Sequence, residues 1–373
     1  MRKTVIVVAN PFGYGPAGKA LSIVEELHKR LKNDRVLFAG GEFVREIIDS
    51  GSEIVEVDER DERALTVIFK KIDNPYIVSS QNRFAVKVAK ELELTAAFFD
   101  GLAWFWKTIP PDHLIADLIF WPRFPDMTKK IPPGHSIHFI GAIVEKTQRG
   151  ITAEQKDDQS ILLSVGGVKN PLTVEMPVAY LNLLADGLNY LQNTSLGKKR
   201  RIIVAGGHHA LLYLKGKIIN PNVCLKNLQH IDFLNLLERM PHLVTTGGQT
   251  ATTEAFAMGI PVSFILPFNL SQYALVEVLK KHTAVSRFLQ WSSYCDLPDN
   301  ISDFSEGDAM IEFNRCAVEM NANEKLMDDY KKDFADLVLS TPLPTEQKKF
   351  IENVGVNGAK ELVDTLISEW GLQ

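Results

Sequence analysis

Glycine-rich turns follow apolar runs at four points of this 373-residue sequence. Glycine lets backbone N–H groups approach a phosphate closely, and the N-terminus of a following helix adds partial positive charge. The turns lie at 13–18, 166–167, 206–207 and 247–248. Three of them lie after residue 150, which predicts a phosphate-binding region in that part of the chain. Tight turns between strands and helices also use glycine, so a purely structural role stays open.

The first turn, GYGPAG at 13–18, matches the dinucleotide fingerprint GxGxxG. That fingerprint also requires an acidic residue about 20 residues further along, which Glu42 could supply. Pro16 stiffens the middle of the turn, and the motif explains nothing about the second half of the chain. A NAD-linked enzyme is therefore kept only as an alternative.

These turns are positioned by an alternation of short strands and amphipathic helices. Thr4–Ala9 is a continuous apolar, β-branched run, which predicts a central strand buried on both faces. Further strands are predicted at 36–39, 53–57, 76–79, 95–99, 136–141, 160–165, 201–205, 223–225, 243–246 and 262–266. Helical periodicity between most of them completes repeated βα units. The pattern predicts an α/β fold of two tandem Rossmann-like, doubly wound domains with parallel sheets.

The domain boundary is predicted in the polar segment 145–158, which lacks apolar periodicity. We therefore expect an N-terminal domain over 1–150 and a second domain over 151–350. A C-terminal helix is expected within 351–373, where 357–370 is amphipathic. Ligands of doubly wound folds bind beyond the carboxyl ends of the strands, which is where the glycine-rich turns lie.

Composition excludes several classes of protein. With 41 Lys and Arg against 46 Asp and Glu, the chain lacks the basic balance of a nucleic-acid binder. The three widely spaced cysteines predict neither a disulfide framework nor a metal site. No apolar stretch reaches the length of a membrane span. We expect a cytoplasmic protein whose partners are small molecules, with the oligomeric state, a homodimer included, left open.

One long motif carries a family resemblance. Residues 243–279 read LVTTGGQTATTEAFAMGIPVSFILPFNLSQYALVEVL. This stretch resembles the donor-binding motif of glycosyltransferases with the two-domain GT-B fold. The closest similarity is to inverting transferases of the antibiotic and macrolide group, and to the bacterial transferase that adds N-acetylglucosamine to lipid I. The resemblance implies a hexosyltransferase that takes a nucleotide diphosphate sugar, with UDP favoured, as co-substrate and needs no further cofactor.

The resemblance also implies roles for individual residues in donor binding. The turn and its helix would hold the diphosphate, Glu254 the ribose hydroxyls and Gln272 the sugar hydroxyls. The family often has an acidic residue just before that glutamine, where this chain has Ser271. The implied donor-binding residues are Gly166, Gly167, Lys169, His208, Asn227, Leu228, Gly247, Gly248, Gln249, Thr250, Glu254 and Gln272. His208 and His209 are adjacent and so point apart, which predicts no metal ion.

The general base is expected in the first domain. Inverting transfer needs a group that takes the acceptor's proton, and relatives commonly use a histidine in the first loop. This chain has no histidine there. Asp100, which directly follows the predicted strand 95–99, is the first candidate and Glu42 the second. A turn or N-cap role is the alternative for Asp100.

The acceptor is expected against the first domain, where aromatic side chains could stack on it. The predicted acceptor residues are Gly13, Tyr14, Gly15, Trp104 and Trp106. A narrower resemblance joins the opening ANPFGYGPAGKA to cytosylglucuronate synthases, which implies glucuronate transfer to a planar base. A nucleotide-sugar epimerase on the same scaffold and a non-catalytic nucleotide-sugar binding protein are the alternative functions.

Overall fold

The computed structural model describes residues 2–12, 14–47, 53–125, 127–145, 157–166, 168, 172, 176–340, 342–343 and 345–373. The chain forms two compact units. Unit 1 comprises Met1–Lys146 and Ile351–Gln373, and unit 2 comprises Thr147–Phe350. Within the described residues no helix is both long and apolar enough to cross a membrane.

Unit 1 is built on a seven-stranded sheet in which every neighbouring pair is parallel. Its strands are β1 (Thr4–Ala9), β2 (Arg35–Gly40), β3 (Ile54–Glu56), β4 (Tyr76–Ser80), β5 (Ala96–Phe99), β6 (Leu118–Pro122) and β7 (His138–Ile140). They lie in the order β3-β2-β1-β4-β5-β6-β7. The helices that begin in this part of the chain are α1 (Tyr14–Arg30), α2 (Glu42–Ile47), α3 (Glu62–Lys70) and α4 (Arg83–Glu91).

Strand β1 explains why the sheet is buried on both faces. Val5 and Val7 belong to one apolar cluster, and Ile6 and Val8 to another. Side chains alternate between the faces of a strand, so a continuous apolar run fills both clusters at once. The expectation of a central, doubly buried strand over Thr4–Ala9 is confirmed.

Unit 2 is built on a five-stranded parallel sheet. Its strands are β8 (Ser160–Val165), β9 (Arg201–Gly206), β10 (Val223–Lys226), β11 (Leu243–Thr245) and β12 (Val262–Phe264), in the order β10-β9-β8-β11-β12. The helices from here to the C-terminus are α5 (Val178–Tyr190), α6 (His208–Lys215), α7 (His230–Leu237), α8 (Gln249–Ala257), α9 (Leu270–Lys281), α10 (Glu306–Ala322), α11 (Glu324–Leu339), α12 (Gln347–Val354) and α13 (Gly358–Trp370). The predicted α/β class with two parallel sheets is confirmed.

The C-terminal helix α13 packs into unit 1. Leu362, Val363 and Leu366 are fully buried in the same apolar cluster as Val5 and Val7. Lys3 Nζ donates to the carbonyl of Gly371 at 2.8 Å, which joins the two ends of the chain. The amphipathic pattern predicts this helix but not the surface that it covers.

The prediction that the cysteines form no disulfide is wrong. Cys295 and Cys316 are bonded, with their Cα atoms 5.7 Å apart, and Cys224 is free. The two lie 21 residues apart, a spacing that carries no disulfide signature. Cys316 lies within helix α10 and is completely buried, and Cys295 lies in the segment before that helix. The fold places this segment against the helix.

Candidate functional site

A glycine turn links β11 to α8 at the carboxyl edge of the unit 2 sheet. Gly247 has a φ of +97°, and a Cβ there would lie 3.1 Å from the carbonyl oxygen of Gln272. Only glycine fits this position without strain. Gly248 caps α8 with no side-chain hydrogen bond, so the first-turn N–H groups of the helix are presented at this edge. The arrangement can bind an anion.

Glycines along this edge fall into two kinds. A Cβ at Gly206 would come 2.8 Å from Cγ2 of Val165, so packing against β8 explains that glycine. A Cβ at Gly166 or Gly248 would meet nothing within 4 Å, and neither has a positive φ. Nothing in the described protein therefore requires glycine at these two positions. The open space beside them favours the close approach of a ligand.

Threonine hydroxyls at the start of α8 are not equivalent. Thr252 Oγ1 donates to the carbonyl of Gly248 at 2.8 Å, and Thr253 Oγ1 donates to that of Gln249 at 2.9 Å. No hydrogen bond joins the Thr250 hydroxyl to any described residue, and this side chain is only half-buried. Of the three, Thr250 is therefore the one whose hydroxyl can serve a bound ligand.

Buried Glu254 pairs with half-buried His230 on the neighbouring helix α7. Glu254 lies on α8, one turn after Thr250, and is 1% exposed. His230, the first residue of α7, places its Nε2 2.7 Å from Oε1 of Glu254. This bond ties the segment after β10, which contains Asn227 and Leu228, to α8. The contact is made by His230, two residues after Leu228, and not by Asn227 or Leu228 themselves.

His230 was not identified from the sequence. Its only signal is its place two residues after Leu228, at the start of a predicted helix, and the partner on α8 is 24 residues away. His208 begins α6 and is exposed at the end of β9, as its neighbour His209 is. Gly167 and Lys169 lie outside the described residues, so their implied roles stay predictions.

The start of α9 forms a polar cluster. Asn269 Oδ1 caps the helix by accepting from the backbone N–H of Gln272 at 2.9 Å. Gln272 is buried, and its Oε1 accepts from the Phe268 N–H at 2.8 Å. Glu306, the first residue of α10, approaches Ser271 Oγ at 3.2 Å. Burial raises the pKa of Glu306 to about 7.

In unit 1, Asp100 is enclosed by donors just beyond β5. It is 1% exposed, and Oδ1 accepts from the Leu102 N–H at 2.9 Å. Oδ2 accepts from Trp106 Nε1 at 3.0 Å and lies 2.8 Å from Nδ1 of His113. Because both oxygens are occupied, Asp100 is poorly placed to take a proton from a substrate directly. His113, in a short 3-10 helix at Pro111–His113, is a partner of Asp100 that the sequence analysis did not identify.

The ring of His113 has a second nitrogen, Nε2, that does not face Asp100. Nδ1 is hydrogen-bonded to Asp100, so Nε2 is the ring nitrogen that a substrate could contact. No other group in the described part of the chain forms a hydrogen bond with the ring. The side chain is 11% exposed. An imidazole held in this way by a carboxylate can act as a general base at Nε2.

The predicted aromatic residues differ in their surroundings. Trp104 is buried and stacks on Phe124 with ring centroids 5.2 Å apart, so it packs the loop in place. Trp106 lies edge-on to His113 at 5.5 Å, beside the Asp100 pair. Lys130 Nζ donates to the carbonyls of both tryptophans, at 2.6 and 2.7 Å, and burial lowers its pKa.

Tyr14 and Glu42 lie near each other at the other predicted acceptor segment. Tyr14 begins α1, followed by Gly15, and its hydroxyl donates to Oε2 of Glu46. Burial is the main cause that raises the pKa of Tyr14, followed by Glu46, and the charge of Glu42 adds to it. Glu42 is exposed at the start of α2. Gly13 lies outside the described residues.

Among the described residues, no group of three His, Cys, Asp or Glu side chains could hold a metal ion.

Comparison with known proteins identifies similar solved structures but no match to a family model or a curated sequence. No protein-family model matches the sequence. No curated protein matches it either.

Solved structures are similar over the whole chain. The spinosyn forosaminyltransferase SpnP superposes with a TM-score of 0.57 at 13% identity and covers 100% of both chains. The structure of S. aureus MnaA with UDP gives 0.55 at 12% identity, covering 100% of this chain and 98% of the other. A putative UDP-N-acetylglucosamine 2-epimerase from Listeria monocytogenes gives 0.54 at 13% identity, with 99% and 97% covered. The chain therefore has the two-domain GT-B fold, which it shares with these solved structures.

Proposed function

We propose that this protein is an inverting glycosyltransferase that moves a sugar from a UDP-sugar to a small-molecule acceptor. The observation that carries the proposal is the continuous set on one sheet edge: the Gly247-Gly248 turn, the start of α8, and the Glu254–His230 pair. This set offers an anion site and a carboxylate within one helical turn. Those are the two elements that a nucleoside diphosphate requires.

The proposed mode of donor binding uses these groups. The diphosphate accepts from the first N–H groups of α8 and from the Thr250 hydroxyl. Glu254 accepts from the ribose hydroxyls, and its bond to His230 fixes the direction of the carboxylate. Asn227 and Leu228, tied in by His230, present backbone groups to the base edge. Two similar structures, of MnaA and of LpCGTa, contain UDP, which supports uracil as the base.

The base that we propose is His113, with Asp100 as its positioning residue. A lone pair of the acceptor attacks the anomeric carbon while the bond from that carbon to the diphosphate oxygen breaks. UDP leaves with the bonding electrons, and the acceptor's proton passes to Nε2 of His113. Asp100 holds Nδ1–H at 2.8 Å and stabilises the imidazolium that results. Glu42 stays the second candidate.

Two finer identities are proposed for test. The narrower resemblance implies glucuronate as the sugar and cytosine as the acceptor, and Trp106 beside His113 suits a planar acceptor. The epimerase is the second candidate function, because a structure described as a putative UDP-N-acetylglucosamine 2-epimerase shares the fold. An epimerase would convert the UDP-sugar without any acceptor.

The deciding experiment incubates the protein with UDP-glucose, UDP-glucuronate and UDP-N-acetylglucosamine, each with and without an acceptor panel that includes cytosine. Products are separated by chromatography and identified by mass. A glycosylated acceptor, with UDP released only when the acceptor is present, supports the transferase. A changed sugar without acceptor supports the epimerase. If the protein binds UDP but turns over no sugar under any condition, the remaining alternative is a non-catalytic nucleotide-sugar binding protein.

A further inference from the structure

Glu306 carries a carboxyl oxygen without a partner. Oε1 lies 3.2 Å from Ser271 Oγ and 3.4 Å from the Ser271 N–H. Oε2 is fully buried and accepts no hydrogen bond from the described residues. A buried carboxylate oxygen that lacks a donor is unfavourable, and such atoms are rare in folded proteins. The atom therefore indicates a donor that a ligand supplies.

No neighbouring side chain among the described residues supplies that donor. Ser271 Oγ is 3.0 Å from Oδ1 of Asn269 and 3.2 Å from Oε1 of Glu306, but it has one proton for the two acceptors. The side-chain amide N–H groups of Asn269 and Gln272 form no hydrogen bond with Oε2 of Glu306. Within the described residues, Ser271 is therefore the only donor to Glu306, and it reaches Oε1 alone. Burial in these surroundings raises the pKa of Glu306 to about 7.

This cluster adjoins the phosphate-binding turn. A Cβ at Gly247 would lie 3.1 Å from the carbonyl oxygen of Gln272 and 3.4 Å from its Cβ. The turn therefore packs directly on the first turn of α9. A sugar attached to a diphosphate bound at that turn would lie next to the start of α9, where Ser271 adjoins Glu306.

We propose that Glu306 accepts hydrogen bonds from the hydroxyls of the donor sugar. The site then selects a neutral, hydroxyl-rich sugar, because a uronate would bring a second carboxylate against Glu306. This inference rests on the proposed function and names the sugar class for the same site. It favours glucose-like donors over the glucuronate that the narrower resemblance implies.

The test is titration calorimetry at pH 8, above the pKa of Glu306 of about 7, of the wild type, Glu306→Gln and Glu319→Gln with UDP, UDP-glucose and UDP-glucuronate. Glu319 lies on the same helix, exposed and paired with Arg315, and is the matched control. Glu306→Gln should bind UDP as the wild type does. It should bind UDP-glucose about 5- to 10-fold more weakly, since a neutral acceptor replaces a charged one. Its preference for UDP-glucose over UDP-glucuronate should shrink, while Glu319→Gln changes nothing.

Equal losses for UDP and UDP-glucose would show that Glu306 only supports the fold, and unchanged UDP-glucose binding would remove it from the sugar site. Either result overturns the inference and leaves the proposed function standing. Failure of the wild type to bind UDP would overturn the proposed function itself. If Glu306→Gln does not fold, as judged by thermal melting, Ser271→Ala replaces it, with the same selective loss for UDP-glucose expected.

Discussion

Nδ1 of His113 lies 2.8 Å from Oδ2 of Asp100, and the same oxygen accepts from the indole of Trp106 at 3.0 Å. One carboxylate therefore orients both an imidazole and an aromatic ring. If the pair is catalytic, His113→Asn should lower kcat by about 10²- to 10⁴-fold, the usual contribution of a general base. The affinity for UDP should not change.

The same experiment separates catalysis from structural support. Asp100→Asn should lower kcat less than His113→Asn, and adding it to the His113→Asn variant should have little further effect, because Asp100 acts through the imidazole. His135→Asn, at an exposed histidine bonded to the Pro133 carbonyl, is the control. Near-normal kcat for His113→Asn would exclude His113, and Glu42→Gln would be the next variant.

Glu254→Ala should weaken UDP binding by about 10- to 150-fold, since hydrogen bonds to a charged group contribute about 1.5–3 kcal/mol. His230→Asn should also weaken it, through loss of the bond that orients Glu254. Calorimetric titration of both single variants and the double variant gives their coupling. Losses that simply add would contradict the paired role, and Glu277→Ala, exposed on α9, should match the wild type.

The pattern of neighbouring residues in the sequence predicted more of the fold than of the candidate functional site. The run Thr4–Ala9 and the glycines after β8, β9 and β11 are visible in the sequence because each depends on neighbouring residues. The partners of Asp100 and Glu254, His113 and His230, lie 13 and 24 residues away and meet them only after folding. The pairing of Cys295 with Cys316 has the same origin.

Some helices and strands that the sequence analysis did not predict nevertheless have a signal in their own residues. In α10 the buried residues Ala309, Met310, Phe313, Cys316, Ala317 and Met320 follow helical spacing. Strand β6 gave a weaker signal, because its apolar run is four residues long and ends in Pro122. Helix α6 begins with two histidines directly after a glycine pair, where no side-chain cap marks its start.

Gly206→Ala and Gly248→Ala form a matched pair that separates packing from binding. Alanine at 206 would place its Cβ 2.8 Å from Val165, so the variant should lose about 1–3 kcal/mol of stability. Alanine at 248 meets no protein atom within 4 Å, and its stability should stay within about 1 kcal/mol of the wild type. UDP binding should nevertheless fall in Gly248→Ala. Urea denaturation and calorimetric titration measure the two effects, and unaltered UDP binding by Gly248→Ala would place the phosphate elsewhere.

Removal of the disulfide should destabilise unit 2. The bond closes a segment of 21 residues, for which the chain-entropy model gives about 3 kcal/mol. The double variant Cys295→Ala, Cys316→Ala should therefore unfold at lower urea concentration than the wild type, and a reducing agent should lower the wild-type Tm towards that of the variant. Cys224→Ala, at the free cysteine, is the control. A wild-type Tm that reductant leaves unchanged would show that the bond does not form in solution.

Glu306 should make stability depend on pH between about 4.5 and 7. Its pKa in the folded protein is about 7, above the ordinary 4.5, so the native state binds a proton that the unfolded state has released. The stabilisation is present below pH 4.5 and is lost as the pH rises through 7. Relative to Glu306→Gln, the wild type should lose up to about 3 kcal/mol between pH 4.5 and 8, since one pKa unit corresponds to about 1.4 kcal/mol.

Urea denaturation of both proteins across this range measures the difference. His242, whose pKa burial lowers to about 4, acts in the opposite direction, because the unfolded state takes up its proton first as the pH falls below 6.5. That contribution is common to the two proteins and cancels in their difference. The free energy of unfolding of Glu319→Gln should change with pH in the same way as that of the wild type. Parallel curves for Glu306→Gln as well would mean that the carboxyl of Glu306 ionises in the folded protein as it does in the unfolded chain.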